Sequence, residues 1–105
     1  MIRHIVLVRF RPEVPPAEIA AIGEALRALV GRLDGFVACH GGPDVNFEGM
    51  DRGYRHGFVL DFADSAARRR YHDAPEHRPI SAALVAAAEG GANGILVVDL
   101  EVPDC

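Results

Sequence analysis

One stretch of this chain, Ile2 to Phe10, is apolar on both faces of an extended backbone, and that pattern constrains what it can fold into. In Ile2 to Phe10, period-two alternation puts Ile2, His4, Val6, Val8 and Phe10 on one face and Ile5 and Leu7 on the other. Tyr54 to Phe62 reads as a second clear strand, with Tyr54, His56, Phe58, Leu60 and Phe62 on one face and Arg55, Gly57, Val59 and Asp61 on the other. A strand apolar on both faces, as Ile2 to Phe10 is, belongs in the middle of a sheet that is covered twice.

The intervening sequence supplies one cover. After the breaker Arg11-Pro12-Glu13-Val14-Pro15-Pro16, the residues Ile19, Ile22, Leu26, Leu29, Val30 and Leu33 recur at helical spacing until Asp34-Gly35. Phe36 to about Val45 reads as a weaker strand, and Asn46 to Gly53 as a polar loop. Asp64 and Ser65 are N-cap candidates for a helix through Tyr71. Ala74-Pro75 breaks it, because proline disfavours helix in the residue before it. A further helix is expected from near Pro79 to Glu89, stopped by Gly90-Gly91, and a last strand from Gly94 to Val102, ended by Pro103.

The resulting order is βαββαβ with the second helix broken in two. It predicts an α+β, ferredoxin-like subunit, a four-stranded antiparallel sheet with helices on one face and the first and third strands as central neighbours. Ile5, Leu7, Val59, Ile95 and Val97 are expected on the uncovered face. Burying such side chains is worth ~1.5–3 kcal/mol each, on the order of 10 kcal/mol for the five as an upper estimate. A second copy packed sheet to sheet, giving a homodimeric α/β barrel, is the expected cover.

The 105 residues suffice for a single domain spanning 1–105. A net charge of −4 argues against a nucleic-acid or anionic-membrane partner, since both call for a basic stripe. Arg68-Arg69-Arg70 is the sole basic run and reads as a solvated helix face. Neither Cys39 nor Cys105 sits in a C-x-x-C pair, which argues against a disulfide framework or a zinc ribbon. With no leader pattern and no run of about 18 apolar residues, the expected location is the cytoplasm.

Chemistry concentrates in Tyr71-His72-Asp73-Ala74-Pro75-Glu76-His77-Arg78, where a phenol and two imidazoles meet a helix break. The corner at Pro75 can turn Tyr71 and His77 into one space. His4 and His56 lie on the helix-facing sides of adjacent strands and are expected to share a neighbourhood beneath that corner. Each alone reads equally as a core histidine satisfied by a hydrogen bond. His72 and His77, five apart, lack the spacing of paired ligands on one helix face, so no metal is expected. The Gly41-Gly42 and Gly90-Gly91 stretches lack the context of a phosphate loop, so no nucleotide is expected either.

Three segments together resemble the stress-responsive dimeric A/B barrel (Dabb) family: Ile2-Arg3-His4-Ile5-Val6-Leu7-Val8-Arg9-Phe10, Arg52-Gly53-Tyr54-Arg55-His56-Gly57-Phe58, and Tyr71-His72-Asp73-Ala74-Pro75-Glu76-His77. The resemblance implies a ferredoxin-like subunit that dimerises through its sheet. One plant branch of the family contains a polyketide cyclase that forms olivetolic acid by aldol closure. By that resemblance Tyr71 and His77 are the candidate catalytic residues, with His4 and His56 lining the cavity as binding residues; Phe58, on the same strand face as His56, is a further binding candidate. Ala82, Ala83, Ala86, Ala87 and Ala88, where the cyclase has larger side chains, are expected to alter the pocket.

Two functions follow. One is cofactor-free acid/base catalysis of the cyclase or lyase type on a small apolar or polyketide-like molecule, with a cofactor-free monooxygenase as a variant. The other is a non-catalytic stress or interaction protein in which the histidines are structural.

Overall fold

The computed structural model describes residues 1–103; Cys105 lies outside them. Its elements are β1 (Ile2–Val8), α1 (Pro16–Arg27), β2 (Phe36–Pro43), β3 (His56–Phe62), α2 (Ser65–Asp73), α3 (His77–Ala87) and β4 (Ile95–Glu101), with a 3-10 turn at Gly91–Gly94 before β4. The strands form one antiparallel sheet in the order β2-β3-β1-β4, and the fold is the expected ferredoxin-like α+β plan. No helix among the described residues is long and apolar enough to cross a membrane.

The helix-facing side of the sheet carries the core. Val8, Leu60 and Phe62 are fully buried, and Phe36, Phe58 and Tyr71 nearly so, packed with Ile22, Leu26 and Leu29 beneath α1. Phe36 stacks on Phe62 with ring centroids 4.7 Å apart, and Tyr71 closes on both rings. Cys39 joins this core, and burial pushes its thiol up, away from the thiolate that nucleophilic work needs.

Several expected boundaries move. The first strand stops at Val8, and Phe10 makes a lone bridge to Ala88. Tyr54 lies outside β3, in a turn where its N–H donates to the Asp51 carbonyl at 2.9 Å. Helix α1 ends at Arg27 although its apolar spacing runs on to Leu33. Residues beyond it keep the same side chains inward through tight turns, with Val30 bridging Leu33, so spacing alone mimicked two more helical turns. Asp64 does cap α2, its carboxylate accepting from the Ala67 N–H at 2.8 Å.

The face of β4 is reversed from expectation. Val6 pairs with Val97 and Val8 with Ile95, so Ile95 and Val97 lie on the helix side. Leu96, Val98 and Leu100 take the outer face instead. Both phases of this strand are apolar, so alternation could not choose between them, and the register with β1 does. The alanines of α3 also differ from expectation: Ala87 and Ala88 are in the core, Ala82, Ala83 and Ala86 face solvent, and none meets the cavity described below.

Gly35 shows how tightly α2 is seated. Its φ of +83° lies in the left-handed region, and a Cβ there would stand 2.5 Å from the Ala67 Cβ, while its carbonyl accepts from the Ala63 N–H at 2.8 Å. Gly35→Ala should therefore cost about 2–4 kcal/mol in chemical denaturation, from backbone strain plus overpacking. A loss below about 1 kcal/mol would show that α2 can shift away at little cost.

Candidate active site

Helix α2 delivers Tyr71 from its last turn, and the extended Ala74 before Pro75 ends it. The chain then turns through hydrogen bonds from the His77 N–H to the Ala74 carbonyl at 3.1 Å and from the Arg78 N–H to the Pro75 carbonyl at 3.2 Å. This corner places the His77 ring 4.4 Å from the Tyr71 ring, centroid to centroid. From the sheet below, His4 of β1 comes within 6.0 Å of Tyr71. His72, exposed on α2, approaches His77 at 6.2 Å.

These side chains border one cavity of about 290 Å³ between the sheet and the helices. Leu26, Phe58, Leu60, Ile80, Leu84 and Ile95 supply most of its wall. It opens along β4, an edge strand that the helices do not fully cover, where Val97 is 49% exposed. The volume is at the lower end of small-molecule pockets, roughly 300–1,000 Å³.

His56 is not part of this group. In the antiparallel register His4 opposes Leu60 while His56 opposes Val8, which separates the two histidines by four residues, roughly 13 Å along the strands. Sharing a face of adjacent strands did not make them neighbours, because register decides who meets whom. His56 instead packs at 5.7 Å from Phe10 and 5.0 Å from Phe58, beside α1, and its buried Nδ1 has no hydrogen-bond partner. Phe58 lies between the two regions and does line the cavity.

Asp99 is a site residue that the sequence reading misses. From β4 it brings its Oδ1 to 2.6 Å from His4 Nδ1 and accepts from Arg68 Nε at 3.2 Å. Asp99 stands opposite His4 in the β1–β4 pairing, so the contact is a cross-strand pair completed by an arginine from α2. A lone acid inside the apolar run Ile95-Leu96-Val97-Val98-Asp99-Leu100 was the available signal. Arg68 corrects a second expectation, since the basic run is not wholly a solvated face: the Arg68 side chain is 19% exposed and turned inward, whereas Arg69 and Arg70 are exposed.

Electrostatics assign protonation states. Burial pushes His4 below its ordinary value against the opposing pull of Asp99. Burial also lowers His77, with the charges of His72 and Arg68 adding to it and the backbone of His72 opposing. His56 is lowered by burial alone. For Asp99 burial acts upward, but hydrogen bonds from His4 and Arg68 outweigh it and hold the carboxyl below the usual range. Burial drives the Tyr71 phenol well above its ordinary value. At neutral pH the site therefore holds His4 and His77 as neutral imidazoles, a protonated Tyr71 phenol and an ionised Asp99. An ionised Asp99 requires Nδ1 of neutral His4 to carry the proton, which leaves Nε2 as the acceptor.

No group of three or more His, Cys, Asp and Glu side chains placed to share a metal ion occurs among the described residues. The arrangement can accept a proton, donate one, and accept a hydrogen bond, all within one apolar space.

Comparison with known proteins fits this geometry. A dimeric ferredoxin-like protein of unknown function from Jannaschia sp. is 36% identical, with a TM-score of 0.90 over 96% of this chain and 98% of that one. A hydroxynitrile lyase from Passiflora edulis is 20% identical, with a TM-score of 0.81 over 99% of this chain and 94% of the other. SnoaB, a cofactor-independent oxygenase from Streptomyces nogalater, is 17% identical, with a TM-score of 0.75 over 99% and 94%. At those identities the two enzymes share the fold alone. Among curated proteins none matches the chain. The model of the stress responsive A/B barrel domain matches residues 2–102, and the chain belongs to that family.

Proposed function

We propose that this protein is a cofactor-independent acid/base catalyst of the cyclase or lyase type, acting on a small apolar or aromatic, polyketide-like molecule held in the cavity. The observation that carries this reading is the meeting of Tyr71 and His77 at 4.4 Å over an apolar cavity, with His4 fixed by Asp99 on its floor. A structural core gains nothing from three titratable rings around a space open to solvent.

In this reaction neutral His77 takes a proton from a carbon next to a carbonyl. The C–H electron pair moves into the carbonyl, and the Tyr71 hydroxyl donates to the enolate oxygen that forms. In an aldol closure the enolate carbon bonds to a second carbonyl, whose oxygen then receives the proton from His77. His4 Nε2 accepts a hydrogen bond from a hydroxyl or enol of the ligand. Phe58 packs against its body. That the Passiflora edulis relative is a lyase and the Streptomyces nogalater relative a cofactor-independent oxygenase agrees with this fold hosting such chemistry.

The working unit in this proposal is a homodimer joined through the outer sheet face. Leu96, Val98 and Leu100 there are 42%, 41% and 44% exposed, beside the half-buried Ile5, Leu7 and Val59. Arg3 and Asp61 add a charge pair at 2.8 Å on the same face. The loop at its rim holds out Phe47, which is 95% exposed, next to Met50. The Jannaschia relative is dimeric.

Hydrogen–deuterium exchange at the acidic carbon of benzoylacetone, followed by proton NMR, tests the chemistry. His77→Ala should slow the protein-catalysed exchange by about 10²-fold or more while leaving the fold and dimer intact. Full retention of exchange, or loss of folding without a specific loss of rate, would make the histidine structural and favour a non-catalytic protein. Tyr71→Phe should slow exchange by about 10²-fold.

Sedimentation should give twice the chain mass for the wild type, and Val98→Asp should weaken the dimer by at least about 10²-fold, since it buries an unpaired charge. A Val98→Asp dimer of wild-type strength would place the interface elsewhere.

The lowered imidazoles also fix a pH dependence. Between their native values and the ordinary 6.5, the unfolded chain binds more protons than the folded one, so stability falls as pH drops below about 6.5. Denaturation at pH 7.5 and pH 5.5 should show the lower stability at 5.5, with a smaller difference in His77→Asn. Equal or greater stability at 5.5 would mean that the rings are protonated in the fold.

A further inference from the structure

Arg68 lies three residues before Tyr71 on α2, so the two side chains share a helix face. Its guanidinium carbon is 5.9 Å from the centroid of the Tyr71 ring. Among the described residues its hydrogen bonding is confined to Nε, which meets Asp99; the Nη pair donates to no protein group. It therefore presents a free edge of two donors, the geometry in which arginine takes a carboxylate.

The cavity wall gives that edge a meaning. Of the described residues lining it, Arg68 is the single one with a permanent charge, and none of them is a carboxylate. Asp99, which offsets part of the charge, sits outside, in the shallow depression formed with Ile2, Ser65, Arg69 and His72. Arg68 borders both regions, at the boundary between the apolar interior and the mouth. Arg69 adds a second positive charge at the mouth, so the two arginines there exceed the one carboxylate, Asp99. An apolar space with a cation at one end and no acid within it is complementary to a molecule that is apolar at one end and anionic at the other.

We propose that Arg68 is the anion-recognition residue of this cavity, and that the ligand is an amphiphilic organic acid whose carboxylate meets the Nη edge of Arg68. Its body, one ring or a short chain in a space of about 290 Å³, lies along Leu26, Ile80, Leu84 and Ile95. This rests on the cavity being the ligand site and narrows its substrate class to carboxylic acids. It also fits the chemistry, because a carboxylate at Arg68 sets the neighbouring carbons beside Tyr71 and His77, and the same cation favours an enolate there.

A matched pair of probes, hydrocinnamate and its neutral amide hydrocinnamamide, separates charge from shape. Binding is measured by calorimetry at pH 7.5 on the full chain, and the imidazole NMR signals of His4 and His77 report whether a probe occupies the cavity. The acid should bind at least about tenfold tighter than the amide, with both histidines responding. In Arg68→Gln that preference should fall below about threefold with the amide's affinity little changed, whereas Arg68→Lys should retain part of it. Arg70→Gln, at an exposed position that borders neither region, should keep the preference.

Equal binding of acid and amide with responding histidines would overturn the role of Arg68 and leave the cavity as the ligand site. Silence of both histidines to both probes would overturn the cavity reading, and this inference with it. Since the wild-type comparison needs no variant, the proposal stays testable even if Arg68→Gln fails to fold. A preference that survives Arg68→Gln would place the recognising charge elsewhere and overturn it equally.

Discussion

The site in this molecule is registered on β1, a central strand hydrogen-bonded along both edges. Its pairing with β3 sets Val6 against Phe58 and His4 against Leu60, and its pairing with β4 sets His4 against Asp99. One side of those pairs is the core and the cavity floor; the other is the apolar outer face. A shift of one residue in the pairing of β1 with β4 would turn Asp99 outward and leave His4 with no carboxylate beside it. The position of the site thus depends on backbone hydrogen bonds before any side-chain chemistry enters.

The charge cluster over that frame joins three elements that contribute little to it singly. His4 comes from β1, Asp99 from β4 and Arg68 from α2. Asp99 is 41% exposed, so solvent screens it and its two contacts are no large source of stability. Their consequence is orientation. A neutral imidazole in an apolar site has two tautomers, and a fixed acceptor at Nδ1 selects the one that offers Nε2 to the cavity. The same carboxylate holds Arg68 by Nε alone and leaves its outer edge free.

The sequence revealed the frame better than the site. The doubly apolar first strand, the strand ending at Phe62, the helix between them, the Asp64 cap and the break at Pro75 were legible because each is a local pattern, complete within about ten residues. Tyr71 and His77 came together because the break that joins them is local too. His56 was placed wrongly with His4 because proximity across strands depends on register, which no single strand encodes. Ile95 and Val97 were assigned to the outer face because β4 is apolar in both phases. Asp99 and Arg68 escaped notice for the deepest reason: the acid meets a residue 95 positions away and the arginine meets the acid across 31. An isolated charge within an apolar run marks such a residue, but its partner emerges only when the fold is known.

The broken helix ties these observations together. A continuous helix from Ser65 to Ala87 would carry Tyr71 and His77 six residues apart, about 240° around the axis, with their rings on different sides. The extended Ala74 and the turn through Pro75 bring both rings to one side at a contact distance of 4.4 Å, with Ile80 and Leu84 of α3 left to wall the same space. Without the break, α2 would still bury Tyr71 and present Arg68, but no imidazole would stand over the phenol, and the cavity would lack the group whose neutral form accepts a proton. The proline corner is therefore the feature that converts an apolar gap under two helices into a place where a proton can be moved.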